Sequence, residues 1–236
     1  WLRQDDNREL LLRCDGDQAR AVLSPRYQRV DNIQLVEMLG ESFGDDTPLR
    51  YELSESQLVI QFVDASDAES PSRGDLLHSG INIRNSEVGL SSIEVGGLVY
   101  RTICLNGLIL NARGQSWRRR HIGKVDLAED LRNAVANAQA QSREVRSTFA
   151  STTEIVVPQP LEAIERVVQH FQLTEAQSDA IKWGYNIEPG KRLYDIVNSV
   201  TRGAQNETLP LDARRQLQEV GGKMLTLAKA GHSWLG

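Results

Sequence analysis

The stretch "GINIRNSEVGLSSIEVGGLVYRTICLNGLIL" runs from Gly80 to Leu110 and decides how the chain folds. Its β-branched and apolar runs read as strands of a buried sheet, punctuated by glycines and by Arg84, Asn85, Glu87, Arg101 and Asn106. Asn85, Ser86, Glu87 and Gly89 fall between two strand-like runs and predict a turn, with Glu87 paired to Arg84 or Arg101. Gly96-Gly97 inside a strand pattern predicts a bulge or a close approach of another backbone. Asn106-Gly107 predicts a two-residue hairpin turn between "VYRTICL" and "LILNA", with Gly107 at positive φ.

On the N-terminal side, "ELLLRCDGDQARAVLS" predicts a hairpin turning at Asp15-Gly16-Asp17. Asp31 is placed to cap a helix through "NIQLVEMLGESF", with Ile33, Val36, Leu39 and Phe43 on its buried face and Gly44 as its stop. "LRYELSESQLVIQFVD" predicts a second hairpin around Ser54-Glu55-Ser56. Val63 to Asp75 then reads as a solvated acidic loop.

On the C-terminal side, helix signals take over. Asp126 with Glu129 has capping-box spacing, and Leu127, Leu131, Val135 and Ala138 form one face. Pro160 suits a first helical turn, Thr174 with Gln177 starts another helix, and "RLYDIVNSVTRG" and "DARRQLQEVGGKMLTLAKA" complete the set. The pattern predicts an α+β protein: residues 1–125 form a mostly antiparallel β part with one helix, and residues 126–236 form a helical part packing on the sheet or on neighbouring subunits.

The composition is that of an ordinary globular chain, with 236 residues, 40% hydrophobic and 25% charged. The start, "WLRQDDNREL", has no basic stretch followed by an apolar one, the pattern of a secretory leader. Cys14 and Cys104 are too few for a disulfide framework, so a cytoplasmic location is expected. The four histidines are scattered without ligand spacing, and neither a phosphate loop nor a dinucleotide fingerprint occurs, so no metal or cofactor is expected. The net charge of −5 (27 basic against 32 acidic residues) is unevenly spread. "NARGQSWRRRHIGK" (Asn111 to Lys124) holds five basic residues and no acidic one.

Three words carry a resemblance: "RAVLSPRYQRVDN", "INIRNSEVGLSSIEVGGLVYRTICLNGLI" and "RRHIGK", in that order, with "KRLYDIVNSVTRGAQ" further on. Together they resemble the phage/plasmid-like proteins of domain-of-unknown-function family 932. That family carries no activity to transfer. Its members usually have a further N-terminal region, which implies residues preceding Trp1. Its setting on mobile elements implies work on nucleic acid or against host defences.

The cationic segment is the main functional candidate. Arginines donate paired hydrogen bonds to phosphate, and Trp117 offers a face for base stacking. The expected role is non-catalytic nucleic-acid binding, with single-stranded DNA favoured, through Arg84, Arg101, Arg113, Trp117, Arg118, Arg119, Arg120, His121 and Lys124. Alternatives are a solvated loop, a homo-oligomeric assembly protein, or a hydrolase using Cys104 and His121. A buried, inert Cys104 is the plainer reading of its sequence surroundings.

Overall fold

The computed structural model describes residues 10–40, 43, 47–72, 74–102, 106–110, 116–123 and 127–229, with the backbone alone for Asn106 and Lys229. Strands β1 (Leu11–Asp15) and β2 (Gln18–Leu23) form a hairpin with Gly16 at φ +58°, and the register shifts at Arg13/Cys14. Helix α1 (Asn32–Gly40) follows. It buries Leu35 and Leu39, and Phe43 packs against the same core, while Ile33 and Val36 face solvent, so the expected face holds at Leu39 and Phe43 and fails at Ile33 and Val36. Apolar residues surround most of this short helix, and its spacing alone does not choose a face. The sheet chooses, because Leu58, Ile60 and Phe62 meet Leu35 and Leu39. The expected stop at Gly44 lies outside the described residues.

The main sheet is six-stranded and antiparallel, in the order β3-β4-β5-β6-β7, with β8 beside the other half of β6. Its strands are β3 (Leu49–Leu53), β4 (Leu58–Ser72), β5 (Asp75–Asn85), β6 (Ile93–Arg101), β7 (Asn106–Ile109) and β8 (Ser116–Arg119). The acidic segment is not a loop: Ala68, Glu69 and Ser72 pair with His78, Leu77 and Asp75, extending the β4–β5 arm. Its acids are matched from a helix, since Arg143 reaches Asp64 and Asp67, and Arg146 reaches Asp67 and Glu69. Charge that looks solvated in sequence therefore holds an arm against a neighbour.

Asn106-Gly107 is also not the hairpin turn. Both belong to β7, opposite Arg101 and Tyr100, and Gly107 is not among the glycines with positive φ. What Gly107 provides is room: a Cβ there would lie 2.9 Å from Leu98 Cδ1. Gly96-Gly97 are regular members of β6 and allow close approach without a bulge. A Cβ at Gly97 would stand 3.1 Å from the Ala138 carbonyl oxygen, and one at Gly96 2.5 Å from that of Leu110.

Helix α2 (Leu127–Ser151) crosses this thin place, burying Leu131, Ala134, Val135 and Ala138 against Ile81, Ile83, Ile93 and Val95. The cap expected for it at Asp126 lies outside the described residues. The remaining helices are α3 (Pro160–His170), α4 (Glu175–Ile187), α5 (Leu193–Gly203) and α6 (Leu211–Lys229). Pro160 opens α3, and Thr174 with Gln177 closes a capping box at α4, both as the sequence predicts. Val99, Leu108 and Leu110 share a second core with α3 to α6, so the helices complete the sheet's core. No helix among the described residues is long and apolar enough to cross a membrane.

Candidate functional site

Residues directly opposite one another in an antiparallel sheet share a face. The register across the sheet therefore lines up Arg50, Gln61, Asn82, Gly96 and Ser116 in one row, and Glu52, Val59, Arg84, Glu94 and Arg118 in the next. Their neighbours along each strand, such as Ile60, Ile81, Ile83, Ile93 and Val95, point to the other face and into the core. The result is a polar ladder spanning five strands.

Glu94 is its hub. Its buried carboxylate accepts from Arg215 Nη2 of α6 at 2.8 Å, with Arg118 Nε at 3.3 Å and Arg84 Nη1 at 3.9 Å. Burial pushes this carboxyl up, but Arg215, Arg118 and Arg84 outweigh it, leaving it below the usual carboxylate range. Arg84 is itself held below its ordinary value by burial and by the nearby Arg215, and donates to Gln57 Oε1 at 2.6 Å. Along the other row, Gln61 donates to Asn82 at 3.2 Å and Arg50 to the Tyr100 hydroxyl at 3.3 Å. A groove of about 150 Å³ opens where α6 meets this ladder, lined by Arg50, Gln61, Arg214, Arg215 and Gln218 among others. Arg214 reaches Glu52 at 3.6 Å, and Arg215 also reaches Glu219 at 3.1 Å. Buried Arg215 keeps its Nε–H without an acceptor among the described residues.

The residues expected to touch nucleic acid are thus dispersed. Arg84 and Arg118 stand on the ladder. Arg120, just beyond β8, is exposed and makes no ion pair among the described residues. Arg119 alternates to the other face and pairs with Asp130 of α2 at 3.0 Å. Trp117 also faces inward, packing on the core shared with α2, where it is not laid open for stacking. His121 is buried, stacked on Tyr27 with centroids 4.8 Å apart, its Nδ1 3.2 Å from the Gln28 carbonyl. Burial lowers its pKa. Arg113, Lys124 and Cys104 lie outside the described residues.

Arg101 has a different place from the one expected. It is buried, donating to Asp75 through Nε at 2.9 Å and to Glu188, just past α4, at 2.6 and 2.7 Å. Tyr194 of α5 donates to the same Asp75 at 2.6 Å, and its own hydroxyl pKa is raised by burial and by that bond. Arg101 thereby ties the sheet to two helices. Glu87 pairs with neither Arg84 nor Arg101. It accepts from Arg13 at 2.5 Å and from the Asn32 backbone N–H at 2.6 Å, a carboxylate at the positive end of α1.

Asn85, fully buried, donates to the Val30 carbonyl and to Asn32. The Ser86 carbonyl accepts from Tyr27, whose hydroxyl is pushed up to about 12 by burial, with Glu87 adding to it. Gly89 turns the chain at φ +78°. The "NSEVG" word is therefore a turn, as predicted, and also a fastening for the N-terminal hairpin and α1. Asn82, Gln61, Glu94, Arg50 and Arg215 are site residues that the sequence reading does not single out. The alternation in "INIRN" and "IEVGG" is a signal for Asn82 and Glu94. Arg215 has none, because only the tertiary fold lays α6 on β7 and brings this side chain to Glu94. Among the described residues, no group of three or more His, Cys, Asp or Glu is placed to hold a metal ion.

The family model described as "Domain of unknown function (DUF932)" matches residues 19–225. No curated protein and no solved structure matches the chain.

Proposed function

The chain belongs to the DUF932 family, and from that premise we propose that it is a non-catalytic, cytoplasmic nucleic-acid-binding protein whose contact surface is the polar ladder, with single-stranded DNA favoured. One observation carries this reading: Arg84, Arg118 and Arg215 converge on Glu94, with Glu219 as a further carboxylate on Arg215, beside an open groove that Arg50, Arg214 and Arg215 line. Phosphate oxygens supply acceptors and negative charge to a surface where three arginines outnumber the carboxylates they meet. Arginine forks suit them, and contacts to phosphate are tolerant of sequence. Arg118, its side chain 53% exposed, and Arg120 extend the surface beyond the groove.

The test is a salt titration of binding to single-stranded DNA, double-stranded DNA and RNA with Arg118→Ala/Arg120→Ala. On a single strand, the slope of log affinity against log salt should shrink by roughly 0.7 for each phosphate the variant no longer neutralises. An unchanged slope, or no retention of any nucleic acid by the unaltered chain, overturns the proposal.

A further inference from the structure

Strand β3 is the outer edge of the main sheet, and nothing among the described residues pairs with its free side. Its hydrogen-bonding parity is fixed by its ends. The Val63 N–H donates to the Pro48 carbonyl at 3.1 Å, and the Ser54 N–H to the Gln57 carbonyl at 2.9 Å. Bonded pairs alternate in an antiparallel ladder, so Pro48, Arg50, Glu52 and Ser54 turn their backbone groups to β4. Leu49, Tyr51 and Leu53 turn theirs outward. Their side chains lie together on the sheet face opposite the polar ladder and are 52%, 68% and 65% exposed. A free edge bearing an apolar row is a template for another strand, and single-chain proteins normally blunt it.

The sequence of this edge, Leu49-Arg50-Tyr51-Glu52-Leu53, matches its own reverse in apolar positions and is opposite in charge at the remaining two. We infer that β3 pairs antiparallel with β3 of a second copy about a two-fold axis at Tyr51, joining two six-stranded sheets into one. In that register Tyr51 faces its own counterpart as a hydrogen-bonded pair, and Leu49 faces Leu53 of the other copy in another. The outward parity of these residues is what such pairs require. Arg50 faces Glu52 of the other copy, twice, at the non-bonded positions where opposed side chains stand closest. An isologous contact needs a self-complementary patch, and this one is complementary in charge, in apolar row and in backbone parity. A peptide of another sequence would not need the reversal. Arg50 and Glu52 also stand on the ladder, but the pairing does not depend on the nucleic-acid reading, because it is measured by mass without DNA.

The experiment is solution mass by light scattering or sedimentation on the unaltered chain and on charge variants. The unaltered chain should approach twice its 26.4 kDa mass as concentration rises. Glu52→Arg opposes arginine to arginine, Arg50→Glu opposes glutamate to glutamate, and each alone should be monomeric with a native circular-dichroism spectrum. The double exchange, Arg50→Glu with Glu52→Arg, should restore the dimer. An equimolar mixture of the two single variants should form a heterodimer, since each arginine then meets a glutamate. A merely unfolded variant could not be rescued by mixing. A monomeric unaltered chain at all concentrations overturns the inference, as does an oligomer whose mass the charge exchanges leave unchanged.

Discussion

Two arginine clusters lie toward opposite ends of β6, one around Glu94 and one around Arg101, and they differ in closure. At the C-terminal end, Arg101 meets Asp75, Glu188 and, through Asp75, the Tyr194 hydroxyl, and each of these comes from a different part of the fold. At the N-terminal end, Glu94 is shared by Arg84, Arg118 and Arg215, and one member of the set reaches solvent. The same residue type is a bolt in one place and a surface in the other. What separates them is the ratio: Asp75 and Glu188 both hold Arg101, whereas Glu94 and Glu219 serve three arginines between them.

The closed cluster should be the more costly to break. Arg101→Ala leaves the buried Asp75 carboxylate with Tyr194 as its side-chain donor among the described residues. The expected loss is on the order of 3–5 kcal/mol, the range for removing one partner of a buried ion pair. Denaturant unfolding measures it. A loss below about 1 kcal/mol would mean the cluster is open to water after all.

Between the clusters, Gly96 and Gly97 let the Leu110 backbone and α2 come down on β6. Gly97→Ala puts a Cβ 2.7 Å from Leu110 Cδ1 and 3.1 Å from the Ala138 carbonyl oxygen. Overpacking of this kind costs about 1–3 kcal/mol, and the helix backbone cannot rotate away as a side-chain tip can. A melting temperature equal to that of the unaltered chain would show that α2 lifts freely.

These places also mark how far the sequence can be read. Hairpins at Gly16 and Ser54, the capping box at Thr174 and the start of α3 at Pro160 follow from local chemistry, and all are legible. Asn106-Gly107 misleads because Asn-Gly is a hairpin signal only where the flanking pairing lets it be one. Here the pairing begins at Arg101–Asn106, and Gly107 serves packing. The acidic arm misleads because its counter-charges, Arg143 and Arg146, stand on a helix far along the chain. In the "WRRR" run three successive arginines cannot share one direction, and strand alternation sends Arg118 to the ladder and Arg119 to α2. That alternation helps only once the segment is known to be a strand. The clustering of Arg215 with Glu94 joins positions 121 apart, which no local rule reaches.

Next to the open cluster, just past β8, the buried His121 ring adds a test that pH can make. Burial holds His121 below its ordinary value of 6.5, so the folded protein favours the neutral ring. As pH falls through the ordinary histidine range, the unfolded chain takes up its proton first. Stability is therefore full above that range and falls as pH drops toward the folded value. His121→Phe keeps a ring beside Tyr27 and removes the titration, so its stability should change less between pH of about 7 and about 5 than that of the unaltered chain. Equal slopes over that interval would place His121 in contact with water.

The smallest effect on stability should come from the open cluster itself. Arg118 is more than half exposed, and Arg118→Ala leaves Glu94 paired with Arg215 at 2.8 Å. Exposed ion pairs are worth about 0–1 kcal/mol, and the cost here should sit at the low end because no charge is orphaned. Combining it with Arg120→Ala should add almost nothing, since Arg120 makes no ion pair among the described residues. The contrast with Arg101→Ala is then several-fold in stability for the same chemical change on one strand and its neighbour. If Arg118→Ala instead destabilises as much as Arg101→Ala, the N-terminal cluster is a second bolt. The shared charge on which the nucleic-acid proposal rests would then be structural.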